Sequence, residues 1–388
     1  MNVREEFLPY AQPSLTHREL EEVLEAVRSL WWSRGEKCQR FEEEFAQKVG
    51  ARYAVSMNSC TAALEVALCA YGIGPGDEVI TTPMTFCSTA NVALHLGARP
   101  IFCDIDPQTG LMDPAGIEPL ITDKTRAILP VHYGGQPCDL KEIYAIADKN
   151  GLVVIEDAAH AAGAFYHGEP IGNCRDAAAF SFYATKNLAT GEGGMLTTND
   201  PEVAEKARVL SLHGMDKNAY NRYQEGGSYL YDVVYPGYKF NMGELAAALG
   251  LAQLERLDQM QATRRRYAAL YEEGFASIPG IKTLRQLPER ENAWHLFVIQ
   301  VDPWEFGMDR EGLIRFLTGK KIGTSVHFKP VHTMTYYEEH LPQNPVPLPH
   351  AEAFYQTIIS LPLYPSMGEE DVQYVIESVR EASQLDAK

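Results

Sequence analysis

The feature that most constrains the fold is an alternation of short apolar runs with helical patterns between about residues 53 and 198. Nearly continuous apolar runs are typical of strands that are buried on both faces of a sheet. Their alternation with helices predicts an α/β domain with a mostly parallel sheet, in which ligands bind at the carboxyl ends of the strands. The predicted strands are Tyr53–Met57, Glu78–Thr82, Pro100–Ile105, Arg126–Val131, Val153–Glu156, Ala178–Phe182 and Gly194–Thr198. The predicted helices include Thr61–Ala70, Ser88–Leu96 and Leu140–Lys149.

The remainder of the chain predicts a smaller α+β unit. Residues 215–238 are rich in Gly, Asn and Tyr and predict a long loop, and a helical pattern from Met242 to about Glu273 follows. We therefore expect a large domain over residues 1–250, with an N-terminal arm over about residues 1–12, and a small domain over residues 251–388. The predicted strands of the small domain are Trp294–Val301 and Gly323–Phe328, and its predicted helices are Arg310–Leu317, Ala351–Ile358 and Glu369–Ser383.

The charge of the chain argues against two classes of partner. It carries 34 Lys and Arg against 52 Asp and Glu, for a formal net charge of −18. Nucleic acids and anionic membranes attract basic surfaces, so we expect neither as the main partner. The first residues lack the apolar stretch of a signal peptide, and the 7 cysteines are scattered without a Cys-x-x-Cys pair. We expect a cytoplasmic protein with reduced thiols.

Two predicted strands end in side chains that suit a pyridoxal-phosphate pocket. The strand at 153–156 leads into Asp157, and the next leads through Ser181 to Lys186, just before a Gly-Glu-Gly-Gly turn. A lysine can hold the cofactor aldehyde as a Schiff base, and a buried carboxylate can keep the ring nitrogen protonated. The hydroxyl of Ser181 would bind the phosphate.

The segment Asn58-Ser59-Cys60-Thr61 joins a predicted strand to a predicted helix. Ser59 is a good N-cap, and the first-turn amides of Cys60 and Thr61 would point at an anion. The alternative for this motif is a capped helix without a ligand.

Other residues also allow two interpretations. Glu156 and His160 could bind a metal, but residues four apart share a face only on a helix, and Glu156 falls in a predicted strand. Phe86 follows a strand end and could stack on a cofactor ring or belong to the core. His327 could be a structural histidine or could reach a substrate across the cleft.

With these residues in view, the chain resembles the DegT/DnrJ/EryC1/StrS family of sugar aminotransferases, which are fold-type-I pyridoxal-phosphate enzymes. The resemblance covers nearly the whole chain. The motifs that carry it are Gly74-Pro75-Gly76-Asp77-Glu78-Val79-Ile80, Pro83-Met84-Thr85-Phe86, Pro130-Val131-His132, Ile155-Glu156-Asp157-Ala158-Ala159-His160-Ala161, Phe180-Ser181-Phe182, Lys186, Gly191-Glu192-Gly193-Gly194 and Gly237-Tyr238-Lys239-Phe240-Asn241-Met242.

The resemblance implies a role for each matching position. Lys186 would bind the cofactor covalently, Asp157 would contact the ring nitrogen, and His160 would lie beside the ring hydroxyl. Phe86 would stack on the ring, and Cys60, Thr61 and Ser181 would bind the phosphate. Lys239 or Asn241 would reach the phosphate of a neighbouring subunit's cofactor, which implies a homodimer with shared active sites. Tyr183, His327 and Phe328 would lie on the substrate side.

Within the family, the chain is most similar to two branches that act on UDP-linked 4-keto sugars with glutamate as the amino donor. The motifs that carry this similarity are Gly237-Tyr238-Lys239-Phe240-Asn241, Ala293-Trp294-His295-Leu296 and Val326-His327-Phe328. One branch makes UDP-4-amino-4-deoxy-L-arabinose for lipid A, and the other makes a precursor of pseudaminic acid. One position departs from the pattern, because many relatives carry His where this chain has Tyr183. A phenol donates hydrogen bonds but does not titrate near neutral pH, so an acid–base role at this position is not expected here.

Three hypotheses follow from these residues. The first is a ping-pong transaminase, in which the pyridoxamine form of the cofactor carries the amino group from glutamate to a nucleotide-linked keto sugar. The second keeps the cofactor but changes the reaction or takes an amino-acid substrate; Lys186 argues against the family's dehydratases, which have His at that position. The third is a non-catalytic regulator that has kept the pocket.

Overall fold

Seven strands form one central sheet in the computed structural model, which describes residues 3–216 and 230–385. The strand order is β1-β9-β8-β5-β4-β2-β3, and all neighbours are parallel except β9, which is antiparallel to both β1 and β8. The strands are β1 Tyr53–Met57, β2 Glu78–Thr81, β3 Arg99–Phe102, β4 Thr125–Leu129, β5 Val153–Asp157, β8 Ala177–Ser181 and β9 Gly194–Thr198. The mostly parallel α/β sheet predicted from the sequence is therefore confirmed.

Helices cover both faces of this sheet because successive strand residues point to opposite sides. Val154 packs in a cluster with residues of α2 and α5, whereas Ile155 packs in a second cluster with residues of α3 and α6. The helices of this part are α1 His17–Arg28, α2 Glu36–Val49, α3 Cys60–Ala70, α4 Ser88–His95, α5 Leu140–Asn150 and α6 Pro201–Ser211. The carboxyl ends of the parallel strands lie at one edge, where Asn58, Asp157 and Ser181 follow or end their strands.

The C-terminal part is built on a second, antiparallel sheet with the order β10-β12-β13. Its own core joins Phe275, Phe297, Leu313 and Val375. The strands are β10 Ile281–Thr283, β12 Phe297–Val301 and β13 Ile358–Leu361, and the longer helices are Leu257–Phe275, Arg310–Gly319, Pro349–Thr357 and Glu369–Ala382. Shorter elements are β6 Phe165–Tyr166, β7 Glu169–Pro170, β11 Arg290–Glu291 and the helices Pro303–Phe306 and Thr335–His340.

Two predicted elements of the C-terminal half are wrong. The segment 323–328 is not a strand: Ser325 forms one isolated bridge with Ser360, and Ile322 forms another with Leu8. The strand pairing does not continue beyond Ser325, because the carbonyl of His327 accepts a hydrogen bond from the Tyr133 hydroxyl and not from the backbone of a neighbouring strand. The predicted helix from Met242 to Glu273 is two helices, Glu244–Glu255 and Leu257–Phe275, separated at Arg256.

The N-terminal arm packs against the C-terminal part of the chain. The Leu8 amide donates to the carbonyl of Lys321 at 2.9 Å, and the Gly323 amide donates to the carbonyl of Leu8 at 2.8 Å. The predicted boundary at residues 250 and 251 falls within the helix Glu244–Glu255, and the division into two domains stays a prediction. Of the predicted loop at 215–238, residues 217–229 lie outside the described residues. Across the described ranges, no helix combines the length and apolarity that a membrane span requires.

Candidate active site

A cavity of about 490 Å³ lies at the carboxyl ends of the central strands. Strand ends of the main sheet form its floor, the N-terminus of α3 forms one side, and residues of the C-terminal part form another. The predicted site residues that line it are Cys60, Thr61, Phe86, Asp157, His160, Ser181, Tyr183, Lys186, His327 and Phe328. Asp157, Ser181 and Lys186 meet here as expected for residues at strand ends of one sheet, and His327 and Phe328 join them from the C-terminal part of the chain.

Asp157 ends β5 and is a buried carboxylate. Its Oδ2 accepts a hydrogen bond from the Thr89 hydroxyl at 2.7 Å, and its Oδ1 accepts one from the Ala159 amide at 3.1 Å. Burial raises the pKa of Asp157, whereas these two hydrogen bonds act in the opposite direction. A cationic partner in the cavity would complete the carboxylate's hydrogen bonding and favour its ionised form.

Lys186 follows β8 and reaches the same cavity. Burial lowers the pKa of Lys186 to about 8, while interaction with Cys60 and Asp157 raises it. An amine with such a pKa is partly unprotonated near neutral pH, and only the unprotonated form is nucleophilic. Lys186 and Asp157, which the sequence predicts to share a pocket, therefore interact electrostatically in the structure.

The N-terminus of α3 supplies a candidate anion site. Ser59 caps the helix by accepting from the Ala62 amide at 3.1 Å, and the first-turn amides of Cys60 and Thr61 face the cavity side. The strand β9 passes so close that a Cβ on Gly194 would lie 2.3 Å from the Ser59 carbonyl carbon. Only glycine fits there, and because it has no side chain β9 can pack directly against the backbone at the N-terminus of α3.

Ser181 ends β8 and lines the cavity together with the start of α3. Its oxygen accepts a hydrogen bond from the Tyr183 amide at 3.4 Å, which leaves the hydroxyl proton for a ligand. A hydroxyl beside a helix N-terminus suits a phosphate.

Aromatic rings form one part of the cavity lining. The Phe86 side chain is 60% exposed although it lies in a cavity lining, and its ring centroid is 6.2 Å from that of Phe328. The rings of Phe328 and His160 are stacked with centroids 6.0 Å apart. A large apolar side chain with most of its surface uncovered suits a planar ligand better than a place in the core.

His160 and His327 are both neutral. The Nδ1 of His160 accepts from the Gly134 amide at 3.3 Å, and burial holds the pKa of His160 well below its usual range. Burial lowers the pKa of His327 to about 4, and its Nδ1 pairs with the Ser360 hydroxyl at 2.8 Å. These histidines can orient groups in the cavity but do not add positive charge near neutral pH.

The metal alternative for Glu156 and His160 is not favoured, because the two side chains have separate partners. Glu156 lies in β5 next to Asp157 and points to the other face, where it bonds His132 at 2.9 Å and the Tyr144 hydroxyl. The Cys138 amide donates to His132 Nδ1, so the His132 proton lies on Nε2 and is donated to Glu156. Within residues 3–216 and 230–385, no group of three or more His, Cys, Asp or Glu could hold a metal ion.

Lys239 and Asn241 lie apart from this cavity lining. The Lys239 ammonium is exposed and donates to Asn241 Oδ1 at 2.6 Å. Their segment runs beside the end of β1, where the Asn58 amide donates to the Phe240 carbonyl at 2.7 Å. Their predicted contact with a neighbouring subunit's cofactor stays a prediction.

Sequence reasoning assigned no role to several residues that line the cavity. Tyr10 comes from the N-terminal arm, and its hydroxyl lies 3.3 Å from His327 Nε2. His295 lies 3.5 Å from the Lys186 ammonium through its Nε2. His295 stands in a motif that carried the family resemblance, which was the available signal, whereas no local pattern marked Tyr10. The remaining ones are Thr85, Ser88, Val131, Ala159, Thr185, Glu192 and Gly193.

The donor set of the cavity fits pyridoxal phosphate. A helix N-terminus with a neighbouring hydroxyl suits the phosphate, a buried carboxylate suits a protonated ring nitrogen, and a lysine of lowered pKa suits the aldehyde. The exposed ring of Phe86 offers a face for the pyridine.

Comparisons with known proteins agree with this fit. The model of the DegT/DnrJ/EryC1/StrS aminotransferase family matches residues 13–380. The spore coat polysaccharide biosynthesis protein SpsC of Bacillus subtilis (strain 168) is 54% identical over 379 residues, which are 97% of each chain.

Solved structures agree as well. The putative sugar aminotransferase Spr1654 of Streptococcus pneumoniae, in its PMP form, is similar with a TM-score of 0.90 and 34% identity over 97% of this chain and 99% of that one. Helicobacter pylori PseC, an aminotransferase involved in the biosynthesis of pseudoaminic acid, has a TM-score of 0.90 and 30% identity over 98% and 100%.

Proposed function

The chain belongs to the DegT/DnrJ/EryC1/StrS aminotransferase family, and from this premise we propose that it transfers the amino group of L-glutamate to a nucleotide-linked 4-keto sugar. The family is pyridoxal-phosphate-dependent. The observation that carries the proposal is one cavity in which Lys186, Asp157 and the N-terminus of α3 meet.

Five side chains would hold the cofactor. Lys186 would bind it covalently through Nζ, Asp157 would accept a hydrogen bond from the protonated ring nitrogen, and Ser181 and Thr61 would bind its phosphate. Phe86 would cover one face of the ring. When bound, the cofactor carries the amino group between the two substrates and withdraws electrons from the carbon that bears it.

Lys186 is also the residue best suited to move a proton once its Nζ is free. Its pKa of about 8 leaves both the amine and the ammonium well populated near neutral pH. The histidines of the cavity are poorer candidates because burial holds the pKa of His160 well below its usual range and that of His327 at about 4. We assign to Lys186 the transfer of a proton between the substrate carbon that bears the amino group and the aldehyde carbon of the cofactor.

The sugar would be bound at the mouth of the cavity. Tyr183 is 47% exposed, and its phenol can donate to a sugar hydroxyl or a diphosphate. His327, Phe328 and Tyr10 would line the opposite side. The names of SpsC and PseC refer to spore coat polysaccharide and to pseudoaminic acid. We propose a UDP-linked sugar, made for a cell-surface polysaccharide, lipid A or a related glycan.

A substrate screen tests this proposal. Purified protein with L-glutamate is incubated with UDP-, dTDP- and GDP-linked 4-keto and 3-keto sugars, and products are identified by mass. We expect an aminated UDP 4-keto sugar, together with loss and recovery of the cofactor's visible absorption as glutamate and sugar are added in turn. Amination of another keto position, or of a keto acid alone, would contradict the proposed substrate. Failure to bind the cofactor would contradict the assignment of the chain as a pyridoxal-phosphate enzyme.

We also propose that the working enzyme is a homodimer with shared active sites. One face of α1 and the turn after it carries large apolar side chains that are open to solvent, including Leu24 at 52% and Leu30 at 82% exposure. Exposed apolar surface of this extent is typical of a subunit interface. The others on this face are Leu20, Val27, Trp31 and Trp32.

Mixed subunits test the sharing of active sites. If Lys239 acts on the neighbour's cofactor, Lys239→Ala and Lys186→Ala subunits each form defective sites alone but share one intact site in a mixed dimer. Random mixing of the two variants should then restore about a quarter of the wild-type activity. Light scattering of the wild-type protein should give a molecular mass of twice 43.2 kDa. A monomeric mass, or a mixture no more active than its components, would contradict this arrangement.

A further inference from the structure

His295 is a buried histidine that the mechanism above does not use. Its side chain lies beside Lys186, with His295 Nε2 at 3.5 Å from the lysine Nζ. The imidazole ring also lies against His160, with centroids 4.4 Å apart. A buried imidazole beside the reactive amine must present either an N–H or a lone pair to it, and the two have opposite effects on the amine.

A chain of amide groups determines which nitrogen of His295 carries the proton. One end of the Asn187 side chain lies 2.6 Å from the Ala293 carbonyl oxygen, which can only accept, so that end is the NH₂ group. The Asn187 oxygen therefore faces His295 Nδ1, at 3.1 Å. An oxygen at that distance requires a donor, so the proton of the neutral ring lies on Nδ1.

A second amide supports the same orientation. The Asn187 NH₂ group also donates to the Gln261 oxygen at 3.1 Å, and the Gln261 NH₂ group donates to the Ala162 carbonyl at 3.0 Å. Because Ala162 can only accept, Gln261 cannot be turned the other way, and neither can Asn187. The network is buried, so rotation of either amide would leave polar groups without partners.

Burial and neighbouring cations keep the His295 ring neutral. Burial is the main reason that the pKa of His295 lies well below its usual range, and the charges of Lys186 and Arg264 lower it further. The lone pair of Nε2 consequently remains available on the side of Lys186.

We propose that His295 is a positioning residue for Lys186: its Nε2 accepts a hydrogen bond from Nζ and thereby turns the remaining face of the amine toward the reacting carbon. The inference rests on the proposed function, in which Lys186 moves the proton. The hydrogen bond fixes one N–H of the amine toward His295, so the lone pair that takes up the proton points away from that ring. His295 itself neither gains nor loses a proton.

Two substitutions separate this role from that of a proton carrier. His295→Gln keeps an acceptor that can reach the Nε2 position but cannot titrate, and His295→Leu removes the acceptor while keeping similar volume. In single-turnover reactions with L-glutamate, we expect about a 10- to 100-fold lower rate for His295→Leu, with an unchanged half-saturating glutamate concentration. We expect His295→Gln to stay within about threefold of wild type. Equal losses in both variants would overturn the proposal in favour of a proton carrier, and no loss in either would overturn it altogether.

A measurement without the cofactor tests the tautomer itself. In cofactor-free protein with ¹⁵N-labelled histidine, the His295 signals are assigned by their disappearance in His295→Gln. His167→Gln, at an exposed histidine outside the cavity lining, is the matched control. We expect the shift of a protonated Nδ1 and an unprotonated Nε2; the reverse assignment would overturn the proposal. This readout does not depend on the reaction, so a failure of the proposed function would appear only in the wild-type turnover with glutamate.

Discussion

Replacement of Lys186 by alanine is expected to lower turnover by about 10⁴-fold or more and to abolish the visible absorption of the covalently bound cofactor. The reason is that the Lys186 side chain would both hold the cofactor covalently and transfer the proton. Among the described residues that line the cavity, no other side chain is an amine, and the pKa of Lys186 is about 8. Turnover with glutamate and the absorption spectrum measure the two losses separately.

Two controls support this prediction. Lys186→Arg keeps a cation but not a nucleophile, so it should resemble alanine, whereas Lys149→Ala changes an exposed lysine paired with Glu118 and should remain active. In wild-type protein, capture of added cofactor should become faster as the pH rises and level off above about pH 8, because the amine fraction grows through the lowered pKa of Lys186. Steady turnover by Lys186→Ala would defeat the assignment.

Replacement of Asp157 by asparagine should lower turnover by about 10³-fold and weaken cofactor binding, with little change in fold. Asparagine has the same shape, and its oxygen can still accept from the Ala159 amide. It has no negative charge, however, and a ring nitrogen facing it would lose its proton and much of its electron-withdrawing power. Single-turnover rates with glutamate and dialysis against the cofactor measure the two effects.

The adjacent acid offers a matched control for Asp157. Glu156→Gln changes a buried carboxylate of the same strand that faces away from the cavity and is held by His132 and Tyr144. We expect it to lower the free energy of unfolding while the folded protein keeps its turnover. Similar catalytic losses in both variants would mean that the cavity acid acts through general stability and would contradict the role given to Asp157.

Much of the site could be predicted because its parts are local in sequence. Asp157, Ser181 and Lys186 each follow or end an apolar strand, and parallel strands bring such ends to one edge. The central strands are also where predicted and observed bounds agree to within a few residues, since continuous apolar runs have little alternative to burial in a sheet.

What could not be predicted depends on contacts between distant segments. His295 meets Lys186 across 109 positions, and Tyr10 meets His327 across 317. The failed strand at 323–328 has the same cause. Its composition favours a strand, but the hydroxyl of Tyr133, in the turn that follows β4, donates to the His327 carbonyl that strand pairing would need. Likewise, the apolar period after Met242 runs through Arg256 without a local sign of the break there.

The anchoring of Leu8 beside Ile322 has a practical implication for handling the protein. Residues 3–12 contribute Tyr10 to the cavity lining and also contact the helix Glu369–Ala382 through the Arg4–Asp371 ion pair. We therefore expect an affinity tag fused at the amino end, or its imprecise proteolytic trimming, to disturb the cavity lining at Tyr10. Purification handles belong at the opposite terminus.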